Sequence, residues 1–212
     1  MSLRLPKVYP ITDRSISSLS HEEQVRRLIA GGATFIQLRE KTDSPKAFFE
    51  DATAALRVAR DAGVTLIIND RVDIALALGA DGVHLGQTDM PVTAARSLLG
   101  PQAIIGYSTH NIAQVKAALD LPIDYLAFGP IFETRSKQNP DPVAGLDALR
   151  NVRAIAGNLP IVAIGGIQRS NLSTVLSTGA DSAAIISEIL TTPDNIAKTL
   201  RELVLKRDGQ LR

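Results

Sequence analysis

Eight times along the chain a short, unbroken apolar run gives way to polar residues and then to a helical pattern, and this repetition restricts the fold more than any other feature. The runs are Val8 to Ile11, Phe35 to Leu38, Leu66 to Ile68, Gly82 to Leu85, Ile104 to Tyr107, Tyr125 to Phe128, Ile161 to Ile164 and Ala183 to Ile186. Apolar runs without alternation suit parallel strands covered on both faces, and parallel neighbours need a crossover helix between them. The stretch from Leu66 to Asp89, LIINDRVDIALALGADGVHLGQTD, shows the unit in full, with Val72, Ala75, Leu76 and Leu78 in a helical pattern between two strands. The punctuation agrees. Ser20 to Glu23 has capping-box spacing, Ser44-Pro45 sets an N-cap before a first-turn proline, and Ser170-Asn171 and Asp194-Asn195 offer further N-caps. Gly32-Ala33, Gly79-Ala80-Asp81 and Gly179-Ala180-Asp181 supply helix-ending glycines ahead of strands two, four and eight.

Eight units in 212 residues leave about 26 residues each, which predicts an α/β fold, a single (β/α)8 TIM barrel over residues 1–212 with its active site at the C-terminal ends of the strands. A doubly wound sheet is the alternative, but no GxGxxG follows the first strand. Loops must be short, except Gly129 to Ala144, GPIFETRSKQNPDPVA, whose length and place suit a binding loop that closes over substrate. Hydrophobic residues make up 45% of the chain, ample for a core, and a net charge of +1 gives no general pull toward nucleic acid or a membrane surface. The absence of cysteine removes disulfides, thiol catalysis and thiolate ligands. Charge and proline interrupt the amino terminus before any signal-peptide run, and no stretch reaches the ~18 apolar residues of a membrane helix. The expectation is a cytoplasmic protein with small-molecule partners, compatible with a homo-oligomer.

Residues just beyond each strand should form one rim. Strand two ends in Gln37-Leu38-Arg39-Glu40-Lys41, where two cations two residues apart point the same way and could hold a multiply charged anion; a solvated strand end balanced by Glu40 is the plainer reading. Asn69, Asp70, Gln87 and Asp89 project beyond strands three and four. Asp70 and Asp89 each precede a helix and could serve as N-caps. As a pair near Arg39 and Lys41 they fit magnesium, which takes one or two carboxylates and completes its shell with water and phosphate oxygens. Zinc is disfavoured, because His21, His84 and His110 lack ligand spacing.

Strand five places Ser108, Thr109 and His110 at the rim, and His110 is not expected to act as base for Ser108, on the argument that adjacent strand residues face opposite ways. In the long loop, Thr134-Arg135-Ser136-Lys137 combines hydroxyls with cations, as phosphate binding requires. After strands seven and eight, Gly165-Gly166 and Ile186-Ser187 offer backbone N–H groups, with Ser187 opening a short helix before Thr191-Thr192-Pro193. The rim thus reads as two anion sites, fit for two phosphorylated substrates, one of them a pyrophosphate.

These motifs resemble the thiamine phosphate synthase family from Tyr9-Pro10-Ile11-Thr12-Asp13 to Ile186-Ser187, through QLREK at Gln37 to Lys41, IND at Ile68 to Asp70, DGVHLGQTD at Asp81 to Asp89, GYSTH at Gly106 to His110, GPIFETRSK at Gly129 to Lys137 and VAIGGI at Val162 to Ile167. Ser136 stands where the family often has threonine, with the hydroxyl kept. The resemblance implies a Mg²⁺-dependent transferase of the pyrimidinylmethyl group, acting on hydroxymethylpyrimidine pyrophosphate and hydroxyethylthiazole phosphate. It implies that Gln37, Leu38, Arg39, Glu40, Lys41, Asn69, Ser108 and Lys137 contact the pyrimidine pyrophosphate, with Arg39, Lys41, Ser108 and Lys137 taking the catalytic parts. Asp70 and Asp89 would hold the metal, and Thr134, Arg135, Ser136, Gly166, Ile186 and Ser187 would surround the thiazole phosphate. Rival readings are a thiazole tautomerase of the same fold, a non-catalytic phosphometabolite-binding barrel, and a Schiff-base aldolase using Lys41 or Lys137, which lack the apolar surroundings that depress a lysine pKa.

Overall fold

A computed structural model of the chain describes residues 3–134, 136, 139 and 141–207. Eight parallel strands pair in sequence order and close on themselves, β8 returning to β1. They are β1 (Val8–Asp13), β2 (Phe35–Arg39), β3 (Thr65–Asn69), β4 (Gly82–Leu85), β5 (Ile104–Thr109), β6 (Tyr125–Phe128), β7 (Ile161–Ile164) and β8 (Ser182–Ile185). Around them run α1 (Arg14–Ser17), α2 (His21–Ala30), α3 (Pro45–Asp61), α4 (Val72–Leu78), α5 (Val92–Leu99), α6 (Ile112–Ala118), α7 (Gly145–Ala156), α8 (Leu172–Ser177), α9 (Ser187–Leu190) and α10 (Ile196–Arg207). The architecture is the predicted (β/α)8 TIM barrel. β1 and β5 run two residues past their expected ends, so Asp13 sits in register with Arg39 and Thr109 with Phe128.

Alternation of side chains along each strand creates two cores. Outward residues such as Ile36, Leu38, Leu66, Ile68 and Leu126 pack under the helices. Inward residues fill the barrel, where Tyr9, Phe35 and Tyr125 make edge-on contacts with ring centroids 4.8, 6.1 and 6.4 Å apart. Removing one such buried ring typically costs about 3–5 kcal/mol. This plug closes the lower barrel and forms the floor of what lies above it.

The end away from the rim is tied down by a device that recurs at three strands. Asp81, Asp124 and Asp181, just before β4, β6 and β8, accept hydrogen bonds from the Leu66, Ile105 and Ile161 N–H groups at 2.7, 2.7 and 2.8 Å. Arginines of α5 and α7 meet two of these carboxylates, Arg96 at Asp124 and Arg153 at Asp181, while Arg60 and Arg201 donate to the Gly79 and Ala30 carbonyls. Stabilising interactions thus gather at one end, leaving the other for ligands, the usual division of labour in this fold.

Helix starts follow the sequence in part. Ser44 Oγ accepts from Ala47 N ahead of Pro45, and Ser20 Oγ accepts from Glu23 N at 3.1 Å. The reciprocal half of the capping box is not made, because the Glu23 carboxylate turns to Arg27 at 2.6 Å. Asn171 does not cap α8 with its side chain but accepts from Gln168 N, and Asp194-Asn195 lie in a 3-10 turn, Pro193–Asn195. No helix among the described residues is long and apolar enough to cross a membrane.

Candidate active site

The C-terminal rim opens on a cavity of about 440 Å³, within the range of small-molecule sites. Its deeper wall is uncharged, formed by residues such as Ile11, Ala127, Val162, Ile164 and Ala184, and its mouth carries Arg39, Lys41, Asp70, Asp89 and Asp141. Most of the predicted residues meet here: Gln37, Arg39, Lys41, Asn69, Asp70, Asp89, Ser108, Thr134, Ser136 and Ile186 all line it. Arg135 and Lys137 lie outside the described residues. Gly166 and Ser187 adjoin wall residues Gly165 and Ile186 without belonging to the wall themselves.

Two of the residues implied by resemblance sit elsewhere. Leu38 has the outward parity of β2 and is fully buried under the helices. Glu40 turns back into the loop, where one oxygen accepts from the N–H groups of Lys41, Thr42 and Asp43 and from the Thr42 hydroxyl. Burial alone would raise its pKa, but these donors outweigh it and hold the carboxyl at about 2. Its other oxygen lies 3.4 Å from His21 Nε2, while His21 Nδ1 is 2.7 Å from the Thr12 hydroxyl. The buried His21–Glu40 pair therefore shapes the loop that presents Lys41 to the mouth.

At the mouth each cation meets a carboxylate, Arg39 with Asp13 and Lys41 with Asp70. Neither aspartate of the expected pair caps a helix, since the N-cap positions of α4 and α5 are Arg71 and Pro91 and neither helix has a side-chain cap. Asp70 instead adopts a left-handed backbone, φ 61°, and donates its N–H to the His84 carbonyl at 2.8 Å. Asp89 Oδ2 accepts from Gly86 N at 2.7 Å. Burial first, and then the nearby Asp70 carboxylate, push the Asp89 carboxyl above its usual range. Two crowded carboxylates of this kind could hold a cation. Among the described residues no third His, Cys, Asp or Glu joins them, which suits a metal that takes its remaining ligands from water and substrate.

Ser108 and His110 both line the cavity. They are two residues apart, so they share a strand parity, and the expectation that they face opposite ways is corrected here. The imidazole that bonds Ser108 is that of His84, whose Nε2 lies 2.8 Å from Ser108 Oγ. Burial draws the His84 pKa down to about 4 against the opposing pull of Asp89, so it is a weak base, and its Nδ1 faces Tyr125 rather than an orienting carboxylate. A serine-hydrolase arrangement is therefore absent at this pair. Burial also pushes the Tyr9 and Tyr125 phenols up, keeping both protonated.

Tyr9, Tyr125 and His84 also line the cavity, although none of them stands at a strand's polar end where the rim residues are legible. Strand parity was the available signal. Tyr9 shares the inward parity of Ile11 and Asp13, and polar atoms at inward positions must find partners inside the barrel.

Fold and site together define a barrel with a charged rim over an uncharged chamber. The sequence model of the family described as thiamine monophosphate synthase matches residues 8–189. The thiamine-phosphate synthase of Koribacter versatilis is 43% identical over 95% of this chain and 97% of its own. That of Chloroflexus aurantiacus is 44% identical, covering 93% and 92%. A solved structure of thiamine phosphate pyrophosphorylase from Pyrococcus furiosus superposes with a TM-score of 0.85 at 36% identity over 97% of both chains. The chain belongs to the thiamine monophosphate synthase family.

Proposed function

We infer that the chain is a thiamine-phosphate synthase, a transferase that joins 4-amino-2-methyl-5-hydroxymethylpyrimidine pyrophosphate to 4-methyl-5-(2-hydroxyethyl)thiazole phosphate and releases pyrophosphate. The observation that carries this reading, beside family membership, is the juxtaposition of Asp70 and Asp89 with Arg39 and Lys41 at the mouth of an uncharged chamber. An uncharged ring suits the chamber and its pyrophosphate the mouth. Asp70 and Asp89 lie close enough for each carboxylate to act on the other, so a pyrophosphate brought against them is repelled unless a divalent cation lies between.

Asp70 and Asp89 would hold that ion, and Mg²⁺ fits a donor set of two carboxylates. When bound, Mg²⁺ supplies charge neutralisation for the departing pyrophosphate. In the reaction the bond between the methylene carbon and the pyrophosphate oxygen breaks, its electron pair leaves with the oxygen, and the thiazole nitrogen lone pair closes the new C–N bond. Arg39, Lys41 and, from the long loop, Lys137 stabilise charge gathering on the leaving group, which requires their cations to be positioned before reaction. Asn69, Gln37 and Ser108 orient the pyrimidine part, while Thr134, Ser136 and the backbone at Gly166, Ile186 and Ser187 receive the thiazole phosphate.

A tautomerase would have no use for a carboxylate pair at the mouth. A Schiff-base role for Lys41 is opposed by its Asp70 partner and its half-exposed side chain, which give no apolar pocket for a neutral amine. The test is to incubate the protein with both substrates and follow thiamine phosphate and pyrophosphate chromatographically. Equimolar formation of both is expected, and failure to form either would overturn the assignment.

A further inference from the structure

Within the barrel, five side chains from five strands form a continuous hydrogen-bonded chain. Gln37 Nε2 donates to the Tyr9 hydroxyl at 3.0 Å, Tyr9 and Tyr125 hydroxyls lie 3.0 Å apart, Tyr125 is 3.0 Å from His84 Nδ1, and His84 Nε2 is 2.8 Å from Ser108 Oγ. Gln37, Tyr9, Tyr125 and His84 are all at least nine-tenths buried, so water offers little alternative. Each hydroxyl has one proton to give. With Gln37 donating, the Tyr9 proton goes to Tyr125, the Tyr125 proton goes to His84 Nδ1, and the imidazole must carry its own proton on Nε2, where it donates to Ser108. The Ser108 proton is then left for the cavity, and at the other end the Gln37 carbonyl oxygen is left as an acceptor.

We propose that this chain is a proton-ordered relay in which Tyr9, Tyr125 and His84 are positioning residues, fixing Ser108 as a donor and Gln37 as an acceptor so that the chamber selects an aminopyrimidine over its oxo counterpart. The two ends are linked. An aminopyrimidine edge offers an amine donor and a ring-nitrogen acceptor, the complement of this polarity. A 4-oxo pyrimidine in its lactam form offers a carbonyl acceptor beside an N–H donor, and accepting it would require Gln37 to flip and every proton in the chain to reverse. The space for the relay is set by Gly106, where a Cβ would fall 2.1 Å from Tyr125 Cζ and 2.5 Å from His84 Nδ1.

This proposal deepens the synthase reading and rests on it for the identity of the ring, but the relay can be measured without turnover. Nitrogen-15 NMR of the ligand-free protein reports which His84 nitrogen carries the proton. The expected result is Nε2–H in the parent and, once the carboxyl introduced by Gln37→Glu is ionised, Nδ1–H in that variant, because an ionised carboxylate can only accept and so reverses the chain. Nδ1–H in the parent, or a tautomer in Gln37→Glu that stays unchanged across the ionisation of that carboxyl, overturns the relay. Should Gln37→Glu not fold, Tyr125→Phe removes the Nδ1 partner and should leave a mixture of tautomers; a tautomer as fixed as in the parent overturns it equally. In turnover, the parent should prefer the amino substrate over its 4-oxo analogue by about 10⁴-fold in kcat/KM, and Tyr125→Phe should lose at least about tenfold of that preference. An unchanged ratio counts against the proposal. A protein with the expected tautomers that makes no thiamine phosphate would overturn the synthase reading and not the relay, whereas a working synthase with the wrong tautomer would overturn the relay alone.

Discussion

Replacing Asp70 separates charge from backbone, because its left-handed conformation, φ 61°, is tolerated by asparagine far better than by alanine. Asp70→Asn removes the negative charge while keeping the conformation and its N–H bond to the His84 carbonyl. The lost ion pair with Lys41 joins side chains 51% and 20% exposed, and such partly solvated pairs contribute about 0–1 kcal/mol. Asp70→Ala adds a left-handed alanine, a further cost of roughly 1–2 kcal/mol. In a chain of this size that difference lowers Tm by about 2–8 °C relative to Asp70→Asn. For catalysis, a unit charge about 4 Å from its partner at an effective dielectric near 20 is worth about 4 kcal/mol, or about three powers of ten in rate. Both variants should therefore lose about 10³ in turnover, although only the alanine variant loses appreciable stability. Thermal melts and steady-state turnover at saturating Mg²⁺ check this together. Turnover of Asp70→Asn within tenfold of the parent would show that the Asp70 charge is not needed for the reaction, and equal destabilisation by both substitutions would show that the left-handed backbone carries no such cost.

Three further outcomes follow from the site. Because the folded protein raises the Asp89 carboxyl, its contribution to stability is present below the ordinary carboxylate pKa and is lost as pH rises through the raised value; Asp89→Asn should stabilise the metal-free protein at pH 7 and cease to do so in acid, as denaturant melts across pH will show. Glu40, held at about 2 against an ordinary 4.5, has the opposite sign, stabilising above pH 4.5 and losing that contribution as pH falls toward 2; Glu40→Gln should cost about 1–3 kcal/mol near neutrality and nothing near pH 2 by the same melts. Gly106→Ala drives a methyl group into the Tyr125 ring and should destabilise the fold by about 1–3 kcal/mol in urea titrations, and a neutral result would show that the interior is looser than described.

The barrel was legible because its signal is local and repeated: each unbroken run such as Leu66 to Ile68 states that a strand is covered on both faces, and each glycine such as Gly79, φ 62°, states where a helix ends. The rim was legible for the same reason, since Asp70, Asp89 and Lys41 stand within a few residues of their strand ends. The relay was not. Tyr9 and Tyr125 are 116 residues apart in sequence, and each reads locally as one more apolar strand position. Glu40 was misplaced because a motif fixes its neighbourhood without fixing its direction, and only the tight loop of Lys41 to Asp43 gathers donors enough to draw it inward. The half-made capping box has a similar cause, a competing arginine one turn along α2.

On the proposed function, Asp70 and Asp89 together hold a divalent ion whose shell the pyrophosphate substrate completes. Binding of Mn²⁺ in place of Mg²⁺, followed by its paramagnetic resonance with and without the pyrimidine pyrophosphate, is the decisive measurement. Protein-bound Mn²⁺ should appear chiefly when the pyrophosphate is present and should vanish in the Asp70→Asn, Asp89→Asn double variant. Binding of equal strength in the double variant would show that the two aspartates do not hold the ion.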